Sequence, residues 1–216
     1  MTIRHHPDDE RLAGFAAGRL DQGQHIAIAT HLSSCMVCRR FVRAMEEVGG
    51  AMLESIPPSA LSPDAYRLIE MRLAAVPDVP VSHPAPTNQL GAFPGLPDFV
   101  QRLPAQPWTW VAPRLRLKRI ELPAGEPTRV FLLKAGAGTR LLPHTHTALE
   151  MTCVLTGNFS QGGQVYGPGD FDVGECDVEH EIVVGRDEEC ICLIAMQGEL
   201  RLKGLLGRIM QPLISI

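Results

Sequence analysis

Between residues 138 and 157 the chain reads GTRLLPHTHTALEMTCVLTG. His144 and His146 stand two residues apart, so on a β-strand both imidazoles leave the same face. Glu150 falls on the strand that follows, and Gly157 marks the hairpin that closes it. Farther on, Pro168-Gly169-Asp170 gives another turn, with His180 beyond it. Three imidazoles and a carboxylate form a donor set for one divalent transition ion. Zinc, iron(II), manganese, nickel and copper all suit it, and spacing alone does not choose.

Working outward, short alternating or β-branched runs cover 116–122, 129–135, 151–156, 163–166, 181–184 and 190–196, separated by glycine and proline turns. This rhythm predicts an antiparallel barrel or jelly roll. Cys190 and Cys192 share one strand face, where a disulfide between residues two apart would be strained. They read as two buried small residues or as thiols, with Met151 or Met196 nearby, that take up an oxidant.

Before residue 76 the pattern is helical. Asp8, Asp9 and Glu10 open a first helix carrying Leu12, Phe15 and Ala16, which Gly18 ends. Asp21 caps a second, bearing Ile26, Ile28 and Leu32. A third is expected after Cys38, with Phe41, Val42, Met45 and Val48 on one stripe, ending at Gly49-Gly50 or shortly after. Ser62-Pro63 starts a fourth through Tyr66, Ile69 and Leu73. The second and third helices meet at His31-x3-Cys35-x2-Cys38, where an imidazole and two thiolates converge on a tetrahedral ion. His5 or His6 supplies the fourth ligand. A thioredoxin-like redox reading of Cys35 and Cys38 would need a strand before them, and the residues there are helical in pattern.

Prolines at 77, 80, 84, 86, 94, 97, 104 and 107 make 77–107 a linker between a helical domain, 1–76, and a β domain, 108–216. Two small domains in 216 residues leave the first short of core, so a structural metal would stabilise it. A net charge of −4 and sparse aromatics argue against direct nucleic-acid binding. No run approaches about 20 apolar residues, and MTIRHHPDDE lacks the apolar core of a signal peptide, so a cytoplasmic location without membrane attachment is expected. In that reducing compartment the six cysteines serve as metal ligands or free thiols.

Two resemblances carry these readings further. Gly138-x5-His144-x-His146-x3-Glu150-x6-Gly157 resembles the first motif of the cupin family at each defined position. Pro168-Gly169-Asp170 and His180 resemble its second, with Val184 where an asparagine is frequent. His31-x3-Cys35-x2-Cys38 with an upstream histidine resembles the zinc-binding anti-sigma domain of bacterial anti-sigma factors. Helical domain, proline linker and cupin, in that order, resemble the ChrR-type anti-sigma factors along essentially the whole chain. The resemblance implies an α+β, two-domain protein: a zinc-binding helical bundle followed by an antiparallel β-barrel. It implies His6, His31, Cys35 and Cys38 as ligands of a structural zinc. It implies His144, His146, Glu150 and His180 as ligands of a cupin zinc or another divalent transition metal. The implied partner is a sigma factor of the extracytoplasmic-function group, released under singlet oxygen or related stress, with no enzymatic activity. The alternative is a metal-dependent cupin enzyme, dioxygenase-like, with a zinc-binding interaction domain; turnover by the isolated barrel would favour it.

Overall fold

The computed structural model describes residues 2–75, 90–141, 143–174 and 181–202, with backbone alone at His146 and Leu202. Helix α1, Asp9–Ala16, begins where the Asp8 side chain accepts from the Arg11 backbone N–H. Helix α2, Gln22–Ser34, begins where Asp21 does the same for Gln24. Helix α3, Met36–Glu54, opens two residues before Cys38 rather than after it. Its cap is Cys35, whose sulfur accepts from the Cys38 N–H at 3.5 Å. The helix runs through Gly49 and Gly50, where its surroundings are solvent. Helix α4, Ala65–Ala75, starts two residues beyond Ser62-Pro63.

Among the described residues, eleven strands follow a short helix α5, Asp98–Gln101. They are β1 (Thr109–Ala112), β2 (Leu115–Ile120), β3 (Arg129–Ala135), β4 (His144–His146), β5 (Glu150–Thr156), β6 (Phe159–Gln161), β7 (Gln164–Tyr166), β8 (Phe171–Gly174), β9 (Val183–Val184), β10 (Cys190–Met196) and β11 (Leu200–Leu202). A six-stranded sheet in the order β1-β2-β3-β10-β5-β8 is antiparallel throughout. A three-stranded sheet β7-β6-β9 and a pair β11-β4 lie opposite it. The expected barrel is thus a cupin-like two-layer enclosure rather than one continuous ladder. Gly157, at φ +69°, makes the β5–β6 hairpin, and a Cβ there would come within 2.3 Å of the Glu189 carbonyl oxygen.

Strand β10 explains how the halves join. Its sequence CICLIAM is buried at every position, so the strand is covered on both faces. Cys190, Cys192, Ile194 and Met196 pack inward with Phe131, Val154 and Phe159. Ile191, Leu193 and Ala195 pack outward, in one core with Ile26, Ala27 and Ile28 of α2. Ile26 and Ile28 are at most 1% exposed, and burying such side chains stabilises by about 1.5–3 kcal/mol each. Polar contacts pin the seam: Thr128 donates to Asp21 at 2.7 Å, and the Gln197 amide donates to both.

The expected 77–107 linker needs correcting at its C-terminal end. From residue 90 onward the segment belongs to the fold, because Leu90, Leu96, Val100 and Ala105 are buried in that shared core. Proline breaks regular elements, but it does not prevent a loop from burying its apolar side chains. The two sequence-defined parts are therefore joined through one hydrophobic core.

Candidate functional site

The end of α2, the start of α3 and the segment before α1 converge. His31 is fully buried, and its Nε2 lies 3.2 Å from the Cys38 sulfur. His6 Nδ1 lies 3.4 Å from the sulfurs of both Cys35 and Cys38. One ligand atom from each of the four residues lies within 4.8 Å of every other. A tetrahedral ion with bonds of about 2.0–2.3 Å sets ligand–ligand separations of about 3.3–3.8 Å, so these residues fit zinc in size and in donor type. His5, the other candidate, is elsewhere: its ring stacks on Tyr166 at 4.2 Å.

Electrostatics point the same way. Burial pushes the Cys38 thiol up to about 12, and its bond to Cys35 and the charges of Cys35 and Asp9 add to the rise. Every one of those influences opposes a thiolate at Cys38, and a bound cation would favour it. Burial lowers His31 to about 4, against the opposing effect of its backbone bond to Gly169, so the imidazole is neutral at pH 7. Its Nδ1 lies 2.8 Å from the Gly169 carbonyl oxygen. That oxygen only accepts, so Nδ1 carries the proton and Nε2 presents its lone pair to the cluster.

The second candidate set lies across the large sheet. The space between the layers includes a cavity of about 160 Å³ lined by His144, Glu150, Thr152, Cys190 and Cys192 among apolar side chains. His144 is 4% exposed, and Thr152 donates to Glu150 at 3.2 Å. His146 follows on β4, with its side chain outside the described set; His180 lies outside the described residues. The sulfurs of Cys190 and Cys192 are 3.7 Å apart. Its bond to Cys190, then burial, raises the Cys192 thiol well above the ordinary range.

Asp170 is the residue whose part the sequence reading did not assign. Its Oδ2 accepts from the Gly167 N–H within its own turn, at 2.9 Å. Its Oδ1 accepts from the N–H groups of Arg4 and His5, at 2.7 and 3.0 Å. Burial alone would raise this carboxyl, but the three backbone donors outweigh it and hold it low. The signal was present as a Pro-Gly-Asp turn; its distant partner was not legible.

Fold and cluster together define an architecture in which a helical module with a His2Cys2 cluster able to hold a metal is carried on a cupin. A family model described as the ChrR cupin-like domain matches residues 97–199. The anti-sigma-E factor ChrR of Cereibacter sphaeroides is 34% identical over 219 residues, covering 100% of both chains. The crystal structure of Rhodobacter sphaeroides SigE in complex with the anti-sigma ChrR matches with a TM-score of 0.71 at 30% identity, over 91% of this chain and 100% of that one. The chain belongs to the ChrR family of anti-sigma factors.

Proposed function

We propose that this protein is an anti-sigma factor: its helical module sequesters an extracytoplasmic-function sigma factor, and its cupin module governs release under singlet oxygen or related oxidative stress. The observation that carries the reading is an apolar helical surface left uncovered by the described residues. No residue of α4 is buried, and Tyr66 is 75%, Ile69 56% and Leu73 69% exposed. The distal part of α3 adds Val48, Met52 and Leu53, each more than half exposed. Burying these residues against a partner removes apolar area that water otherwise surrounds. An amphipathic helix pair of this kind fits a helical partner, as in helix-in-groove recognition. The similarity over the whole chain to ChrR, crystallised with a sigma factor, supports the choice of partner.

In this reading His6, His31, Cys35 and Cys38 hold a structural zinc that fixes where α2 ends and α3 begins. His144, His146, Glu150 and His180 hold a zinc or another divalent transition metal in the cupin. Cys190 and Cys192 border the same cavity as His144 and Glu150, where a small neutral oxidant would meet thiols and ligands together. No described helix is long and apolar enough to cross a membrane. The net charge of −4 supports a protein partner over direct nucleic-acid contact. The enzyme alternative lacks comparable support, since the full-length similarity is to a regulator.

The test is co-expression with an extracytoplasmic-function sigma factor, followed by purification and metal analysis. A stable complex with zinc bound by the four N-terminal residues is expected. Recovery of both proteins separately, at concentrations where each is folded, would sink the proposal.

A further inference from the structure

The N-terminal cluster is not built by the helical module alone. Each of its histidines is positioned by the same cupin turn, the one between β7 and β8. The Gly169 carbonyl fixes the proton of His31 on Nδ1, and the Phe171 ring meets that imidazole edge-on at 5.6 Å. Asp170 takes both Arg4 and His5 amides on one carboxylate oxygen, and the Phe171 N–H donates to the His5 carbonyl at 3.1 Å. These bonds lay residues 4–5 along the turn, and the next residue is His6. His6 is exposed, and its described side-chain contacts, to the two sulfurs and edge-on to the His31 ring at 5.5 Å, all lie within the cluster itself.

We infer that the Gly167-to-Phe171 turn of the cupin is the outer coordination shell of the N-terminal metal site, with Asp170 the positioning residue that keeps His6 on the ion. The inference rests on the reading of the cluster as a zinc site. An ordinary turn aspartate caps its own turn, and Oδ2 does that here; Oδ1 faces outward to a segment more than 160 residues away in sequence. The arrangement also ties the two candidate sites together. Phe171 begins β8, which pairs with β5 in the register Cys153 to Phe171 and Glu150 to Gly174. Four residue pairs of one ladder therefore separate the cavity-lining Glu150 from the turn that holds His31 and His6. A shift of β8 along β5 would move both histidines relative to the sulfurs, which gives the cupin a mechanical hold on the metal of the inhibitor.

The test uses the full-length protein loaded with zinc and measures transfer of the N-terminal ion to a chromogenic chelator. Asp170→Asn keeps the shape but turns an amide N–H toward one set of backbone donors; Asp170→Ala removes both acceptors. Zinc release about 10-fold faster for the first and about 100-fold faster for the second is expected, the range over which outer-shell partners act. With cobalt(II) in place of zinc, Asp170→Ala is expected to keep the thiolate charge-transfer bands and shift the d–d bands, as loss of one imidazole requires. Thr128→Val loosens the same seam at its other end, away from the metal, and is expected to release zinc at the wild-type rate. Wild-type release from both Asp170 variants would overturn the inference, and so would equal acceleration by Thr128→Val. Absence of N-terminal zinc from the wild-type protein would overturn the metal reading beneath it, a distinguishable result.

Discussion

Cys38 is a thiol that burial and its neighbours keep protonated, placed where only a metal ion makes the ionised form favourable. Cys38→Ser should therefore remove the zinc and, with it, the junction between α2 and α3. The expected outcome is loss of cooperative unfolding in the helical module and at least 10-fold weaker sigma binding, read by circular dichroism and titration. His31 sets the pH dependence. Its folded value, about 4, lies below the unfolded value of 6.5, so the unfolded chain takes the proton first. Stability contributed by neutral His31 is complete above pH 6.5 and lost as pH falls from there towards 4. In metal-free protein the melting temperature should decline over that window, and His31→Gln should flatten the decline. A third residue tests the seam: a Cβ on Gly23 would stand 2.5 Å from the Thr128 methyl and 2.9 Å from its carbonyl oxygen. Gly23→Ala should destabilise by about 1–3 kcal/mol in chemical denaturation, despite alanine's better helix propensity. His31, Cys35 and Cys38 were legible because ligand spacing is local. Spacing left His5 and His6 open and only the family resemblance pointed to His6, because the carboxylate that holds this segment, Asp170, lies across the fold.

At the scale of elements, α1 and α2 were legible from their aspartate caps, and β3 and β10 from apolar runs bounded by turns. Strands β1, β6, β8 and β11 were not, since runs of three or four residues leave little period to detect. Ile26 and Ile28 of α2 cover the outer face of the cupin sheet, and a helix's apolar stripe does not reveal in sequence which surface covers it. Helix α4 has the opposite property, an apolar face that none of the described residues covers. Replacing Ile69 and Leu73 with aspartate should change stability by no more than about 0.5 kcal/mol, as for surface positions. The same variant should weaken sigma binding by at least 10-fold; calorimetry and a binding titration check the two halves separately.

Across the whole molecule, inhibitor and cupin form one folded unit with a shared core, and the N-terminal cluster lies on the opposite face of the large sheet from His144 and Glu150. The two unlike donor sets were legible in sequence; the β5–β8 ladder and the backbone hydrogen bonds that run between their neighbourhoods were not, because they join residues far apart in the chain. His144→Ala or Glu150→Ala should leave sigma inhibition intact and blunt the response to singlet oxygen, measured with a sigma-dependent reporter; normal induction would count against the cupin as the release module. The exposed α3–α4 surface is where the proposed sigma factor is held. That placement is tested most directly by light scattering and sigma-dependent transcription with purified, zinc-loaded protein and an extracytoplasmic-function sigma factor. A 1:1 complex that silences transcription is expected, with loss of both when Ile69 and Leu73 are replaced by aspartate. A complex of equal strength with that variant, or none with the wild type, would contradict it.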